Sequence, residues 1–241
     1  MSRLSSIRFA IVGAGGLGGP IAYALAAAGA GKLLLVDGDV VELSNLQRQV
    51  QFTTDQIGGL KVFLLRDELA RRGCDPTRVD VLDDSFENNS AAWVIDQADV
   101  VIDGSDNFPT KFLVNDRCVV AGRPFVIGAV ARYGGQVMAV RPGAGPCYRC
   151  LFERPPLGAE PMSCSDSGVL GATVGAIAGE TARAAIALAT GDDATAAAGE
   201  LVVWDDLRTS ARPRRVQFNS RAECTACGAS ATLPHSSKEA P

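Results

Sequence analysis

The stretch Ile11-Val-Gly-Ala-Gly-Gly-Leu-Gly-Gly19 constrains this chain more than any other. It follows the apolar run Ile7–Val12 and opens directly into the alanine-rich segment Pro20–Ala30. Gly13, Gly15 and Gly18 set a G-x-G-x-x-G spacing between a strand and a helix, with Gly16 inside the same turn. Glycines let the backbone turn tightly and approach a phosphate, while the helix N-terminus favours an anion. After the next strand, Lys32–Val36, comes Asp37, an acid placed about 20 residues beyond the glycines to bond a ribose hydroxyl. Strand, glycine turn, helix, strand and acid together predict an adenine-nucleotide site.

Around this unit, strand and helix patterns alternate as in a Rossmann-like, mostly parallel α/β sheet with helices on both faces. Expected strands are Arg8–Val12, Lys32–Val36, Arg78–Leu82, Val100–Asp103 and Phe125–Ala129. Expected helices are Leu17–Ala28, Gly59–Arg72, Ser90–Gln97 and Thr110–Ala121. Beyond Gly128 the pattern changes to strands at Gly134–Val140, Glu200–Trp204 and Arg214–Phe218, with a helix at Val169–Ala189. Arg154–Asp166 holds three prolines and reads as a long surface loop. The polar, small-residue stretch from Ala229 onward reads as a disordered tail. With 241 residues, 47% of them hydrophobic, the chain can bury one sizeable core. Residues 1–228 are therefore taken as one domain and 229–241 as its tail.

Net charge is -4 with no Lys/Arg block, which argues against a nucleic-acid footprint. The N-terminus lacks a signal-peptide h-region, and the apolar run Gly168–Thr190 carries Glu180 and Arg183, which argues against a membrane span. Four of seven cysteines form two tight pairs, Cys147-x-x-Cys150 and Cys224-x-x-Cys227. In a chain without an export signal, this favours a metal over disulfides and a reducing cytoplasm over a secretory compartment. Four thiolates suit a closed, structural Zn²⁺ site that staples the C-terminal strands to the middle of the chain.

Past Asp37, Ser44-Asn-Leu-Gln-Arg-Gln49 places Asn45 and Arg48 where phosphate contacts are needed, and Lys61 opens the following helix. Val100-Val-Ile-Asp-Gly-Ser-Asp-Asn107 ends a strand at the sheet edge where ligands bind. Asp106 suits Mg²⁺, which takes a hard carboxylate with phosphate oxygens and waters. The competing role for Asp106 is the N-cap of the following helix. The only histidine, His235, lies in the tail, and no serine nucleophile elbow is present. Such a set suits an attacking group that is already ionised, such as a peptide C-terminal carboxylate, whose pKa is about 3.5.

The glycine loop, Ser44–Gln49, Lys61, Ser105-Asp106-Asn107, Cys147-Tyr-Arg-Cys150, Cys164 before Gly168-Val-Leu-Gly171, and Cys224-x-x-Cys227 occur in one order. In that order they resemble the ThiF/MoeB/HesA adenylyltransferases, bacterial relatives of the ubiquitin-activating enzymes. The resemblance covers residues 7–228, with the nucleotide part at 7–130 and the carrier-binding and zinc part at 131–228. It implies ATP-dependent adenylation of the C-terminal glycine of a small ubiquitin-fold sulfur carrier ending in Gly-Gly, usually by a homodimer. A sulfur donor such as a cysteine desulfurase or rhodanese would act next, towards thiamine, molybdopterin or a related product. By matching position, Asp37 takes the ribose, Asn45, Arg48 and Lys61 the phosphates, and Asp106 the Mg²⁺. Ser44 and Asn107 flank these groups in the same motifs. Cys164 is implied to act after adenylation, holding the carrier as a thioester or persulfide-linked species. Three departures stand out. Family members begin upstream with an Arg-Tyr-x-Arg-Gln helix, Lys111 stands where an arginine is common, and Leu60 replaces the proline usual before Lys61. The alternatives are an NAD-dependent oxidoreductase, which the glycine fingerprint alone would fit, and a non-catalytic module that holds the carrier.

Overall fold

The computed structural model describes residues 3–155, 168–229 and 231. Eight strands form one sheet: β1 Arg8–Val12, β2 Lys32–Val36, β3 Val79–Leu82, β4 Val100–Asp103, β5 Phe125–Ala131, β6 Gly134–Val140, β7 Glu200–Trp204 and β8 Arg214–Gln217. Their order is β3-β2-β1-β4-β5-β6-β7-β8. The five strands from β3 to β5 pair in parallel, and β6, β7 and β8 extend the sheet by antiparallel pairing.

Alternation along the strands supplies two cores. Phe9 and Ile11 of β1 face one side of the sheet, while Ala10 and Val12 face the other. The first side is covered by α1 (Gly18–Ala27), α2 (Lys61–Arg71) and the long α6 (Gly171–Thr190). The second is covered by α3 (Asn88–Asp96), α4 (Phe108–Val120) and the one-turn α5 (Tyr148–Leu151). A parallel sheet needs cover on both faces, and near-continuous apolar runs such as Leu33–Val36 follow from that. Each fully buried Ile, Leu or Phe contributes about 1.5–3 kcal/mol.

The expected elements are present, with shifted ends. α4 starts at Phe108 rather than Thr110 because Asn107 caps it, its Oδ1 accepting from the Thr110 N–H at 2.9 Å. β5 runs on to Ala131 because it turns back as a hairpin, Ala131 pairing with Gly134. α6 begins at Gly171 and its Glu180 and Arg183 pair with each other at 2.7 Å. No helix among the described residues is long and apolar enough to cross a membrane. Most of the expected loop at 154–166 and nearly all of the expected tail lie outside the described residues.

Candidate active site and metal centre

The strand order reverses between β1 and β4, since β2 and β3 lie on one side of β1 and β4 on the other. At such a switch point the loops leaving the two strands diverge, and a crevice opens at their carboxyl ends. Here the crevice is an open cleft of about 1380 Å³. Gly13 and Gly104, the residues directly after the two strands, meet at its floor. A Cβ on Gly13 would lie 3.1 Å from the Gly104 carbonyl, and Gly13 has a φ of +91. A Cβ on Gly18 would lie 1.8 Å from the Gly13 carbonyl oxygen, so the helix can approach the loop only with glycine there.

The glycine loop is braced from two sides. The Ala14 N–H donates to Asp37 Oδ2 at 2.7 Å, and the Asp39 N–H donates to Asp37 Oδ1 at 2.8 Å. Burial pushes the Asp37 carboxyl up, against the opposing pull of Lys61 and of these two N–H groups. From behind, Gln51 Nε2 donates to the carbonyls of Ala14 at 3.1 Å and Gly15 at 2.8 Å. A trans peptide points its C=O and N–H in opposite directions. Pinning those two carbonyls therefore turns the Gly15 and Gly16 N–H groups away from Gln51. Both glycines line the cleft.

Arg48 and Lys61 reach the cleft from the next two segments, and both are buried. Arg48 Nη1 donates to the Ser44 carbonyl at 3.1 Å, which leaves most of its donors for a ligand. Lys61 Nζ is held by Asp39 Oδ2 at 2.8 Å, and its own N–H donates to the Asp39 carbonyl. Leu60 precedes it with φ -67, a value proline would also adopt, so this departure keeps the start of α2 in place.

On the opposite wall, Asp106 is exposed to the cleft and is not the cap of α4, because Asn107 takes that role. Asp103, by contrast, is fully buried. Its Oδ1 accepts from the Ser105 N–H at 2.9 Å, and its Oδ2 accepts from Lys111 Nζ at 2.9 Å. Lys111 spends its other donors on the carbonyls of Ser105 and Gly128, both at 2.8 Å. One ammonium thus ties together the end of β4, the middle of β5 and the loop that carries Asp106.

The four paired cysteines converge. Their sulfurs all lie within 4.8 Å of one another, with Cys147 to Cys224 at 3.7 Å and Cys150 to Cys227 at 3.4 Å. A tetrahedron with Zn–S bonds of about 2.3 Å has S–S edges near 3.8 Å, so the set fits zinc. Burial pushes the Cys227 thiol up to about 11 and raises Cys147 further. Burial works the same way on Cys224, but the N–H groups of Cys227 and Ala226 and the Cys147 thiol outweigh it and lower that thiol. The knuckle is tied to α4. Asn115 Oδ1 accepts from the Tyr148 N–H at 2.9 Å, and Arg149 forks onto Asp116.

The model of the ThiF family matches residues 1–226. The chain belongs to the ThiF family. Among relatives of this ThiF-family chain, "Adenylyltransferase and sulfurtransferase MOCS3" of Sus scrofa is 41% identical, covering 96% of this chain and 50% of the relative. The chain thus spans about half the length of the curated MOCS3 relatives that it matches. "Sulfur carrier protein adenylyltransferase" of Thermus thermophilus is 38% identical over 94% of this chain and 84% of the relative. "SAMP-activating enzyme E1" of Haloferax volcanii is 39% identical over 94% and 82%. Among solved structures, E. coli MccB superposes with a TM-score of 0.79 at 21% identity, covering 94% of this chain and 68% of that one, which is a likeness of fold.

Of the residues singled out in sequence, Gly13, Gly15, Gly16, Asp37, Arg48, Lys61, Asp106 and Asn107 line this cleft of the ThiF-family chain together. Gly18 packs beneath it. Ser44 and Asn45 are not among the lining residues. They close their own turn, with Asn45 Oδ1 accepting from the Glu42 N–H at 3.2 Å and Ser44 Oγ donating to Glu42 at 3.2 Å. Cys164 lies outside the described residues. Gln51, Asp39 and the Asp103–Lys111 pair are additions that motif spacing did not single out.

Proposed function

We propose that this chain adenylates the C-terminal glycine of a small ubiquitin-fold sulfur carrier, using ATP and Mg²⁺. The supporting observation is the convergence of a glycine loop, Arg48, Lys61 and Asp106 on one switch-point cleft in a ThiF-family fold. The names borne by its relatives favour this reading over a nicotinamide oxidoreductase. The carrier carboxylate is ionised at neutral pH and needs no general base. Its oxygen forms a bond to the α-phosphorus as the bond from that phosphorus to the bridging oxygen breaks. The electron pair leaves with pyrophosphate.

In this reading Gly15 and Gly16 N–H groups, Arg48 and Lys61 hold the polyphosphate, and Lys61 exchanges Asp39 for phosphate as the nucleotide enters. Asp37 takes the ribose while fixing the loop. Asp106 is the residue that would hold Mg²⁺, which supplies charge neutralisation for the departing pyrophosphate when bound. The cysteine set holds a structural Zn²⁺. A homodimer, a sulfur donor of the desulfurase or rhodanese type, and a product in thiamine or molybdopterin synthesis complete the proposal. Cys164 acts after adenylation, so Cys164→Ser should keep pyrophosphate exchange and lose covalent carrier capture.

Carrier-dependent ATP–pyrophosphate exchange is the test. The unaltered protein should exchange. Asp106→Ala should fall by about 100-fold or more, as expected when charge stabilisation of the leaving group is removed. Exchange by Asp106→Ala at the unaltered rate would remove Asp106 from the reaction.

A further inference from the structure

The cleft extends well past the nucleotide half. Its far end is built by the β5–β6 hairpin and the end of β7, including Arg132, Gln136, Trp204 and Asp205. Four cations line the cleft: Arg48, Lys61, Lys111 and Arg132. Lys61 and Lys111 each have a carboxylate at hydrogen-bond distance, and Arg48 sits beside the glycine loop, where a Cβ on Gly16 would lie 3.7 Å from its side chain. At the far end, Asp205 is taken by Arg214 at 3.0 Å and Asp206 by Arg208 at 2.7 Å. Arg132 has no acidic partner among the described residues, and it is exposed.

Its backbone adds a second observation. Arg132 is one of two non-glycine residues with positive φ among the described residues, at +52. The hairpin turn it occupies favours glycine or asparagine, because a side chain at that φ is strained. The conformation is held by the residues leading into α6, since the Leu170 N–H donates to the Arg132 carbonyl at 3.1 Å and Val169 bridges to Arg132. A strained position that keeps a long cation at the mouth of a cleft points to a ligand for that cation.

We infer that Arg132 is a recognition residue for the protein substrate, taking a carboxylate that flanks the C-terminal tail of the carrier as the tail enters the cleft from the strand side. The inference rests on the proposed adenylation of a carrier and adds the acidic chemistry of the docking partner. A guanidinium forks onto a carboxylate and keeps its charge at any working pH, so the contact would also draw an acidic carrier surface to the cleft mouth.

Two variants separate recognition from a merely structural turn. Arg132→Gly relieves the strained φ, so its thermal midpoint should equal or exceed that of the unaltered protein. Arg132→Lys keeps the charge. Carrier affinity is measured by calorimetry with a purified Gly-Gly-ended ubiquitin-fold carrier, and ATP affinity is measured in parallel. Arg132→Gly should weaken the carrier by about 10-fold, with ATP affinity unchanged and kcat recovered at saturating carrier. Arg132→Lys should recover part of the loss, and the carrier's salt dependence should flatten in the glycine variant. A glycine variant that is more stable and binds carrier as before overturns the inference. A selective loss of ATP affinity also overturns it, assigning Arg132 to phosphate. If the unaltered protein neither binds the carrier nor runs exchange, the adenylation reading fails first and takes this one with it.

Discussion

Lys111→Met tests the buried tie between the neighbouring strands β4 and β5. The side chains of Lys111 and Asp103 are 6% and 0% exposed, and the ammonium makes three bonds of 2.8–2.9 Å. Methionine fills similar space but leaves an ionised carboxylate in the core with only the Ser105 N–H as partner. Breaking a buried pair from one side costs about 3–5 kcal/mol, because the remaining charge is uncompensated. With a urea slope of about 1–3 kcal/mol/M, the midpoint should drop by roughly 1–2 M or more. Asp103→Asn added to Lys111→Met removes the stranded charge and keeps an oxygen for Ser105. Its cost should fall to about 1–3 kcal/mol, the price of the orphaned carbonyls. Equilibrium urea unfolding of the metal-loaded protein, followed by fluorescence and circular dichroism, measures both. A single variant within about 1 kcal/mol of the unaltered protein would refute the reasoning. So would a double variant no more stable than the single one.

Other expectations concern the metal and the pH response. Purified protein should carry zinc, and Cys224→Ser should lower both zinc content and thermal midpoint; metal analysis finding none in protein prepared without chelator removes the staple. Asp99 immediately precedes β4 and meets Arg8, the first residue of β1, accepting from its N–H at 2.8 Å and pairing with its guanidinium at 3.3 Å. Burial raises the Asp99 carboxyl, but the bonds from Arg8 outweigh it and set it below its ordinary value. A depressed folded value stabilises above the unfolded value, near pH 4, and the benefit fades as pH falls through the folded one. Asp99→Asn should therefore lower stability modestly at pH 7, by less than about 1 kcal/mol for this half-exposed pair and read as a small drop in thermal midpoint, with the gap closing below about pH 4. An equal gap at pH 7 and pH 2.5 would show that the carboxylate charge contributes nothing.

Strands β1, β2 and β4 were legible because apolar runs bounded by glycine and acid leave little choice of ends. Helix starts were less so. Pro109 tolerates the first turn of α4, and only the Asn107 side chain decides where that turn begins. The cleft residues that belong to local motifs, Arg48, Lys61 and Asp106, could be read off because each sits at a fixed offset from a strand end. Gln51 could not. Its bonds to Ala14 and Gly15 span 37 and 36 positions, and an amide in a loop carries no periodic signal. Asp103 and Lys111 are eight positions apart, but their pairing depends on Gly128 arriving from another strand. Ser44 and Asn45 belong to the same motif as Arg48 but do not line the cleft. Polar residues beside a phosphate motif can spend their donors on their own turn.

The cysteine staple has a consequence for the order in which the chain assembles. Cys147 and Cys224 meet across 77 positions, and so do Cys150 and Cys227. Between them lie α6, β7 and β8, so a metal ion gathering all four sulfurs early would close a long loop against chain entropy. Once β7 has zipped onto β6 and β8 onto β7, that entropy has already been spent and the sulfurs stand together. A metal ion taken up at that stage would act as a late latch. It would slow the unzipping of the outer antiparallel strands more than it speeds their assembly, so metal-free protein should unfold faster than zinc-loaded protein, first from that edge of the sheet.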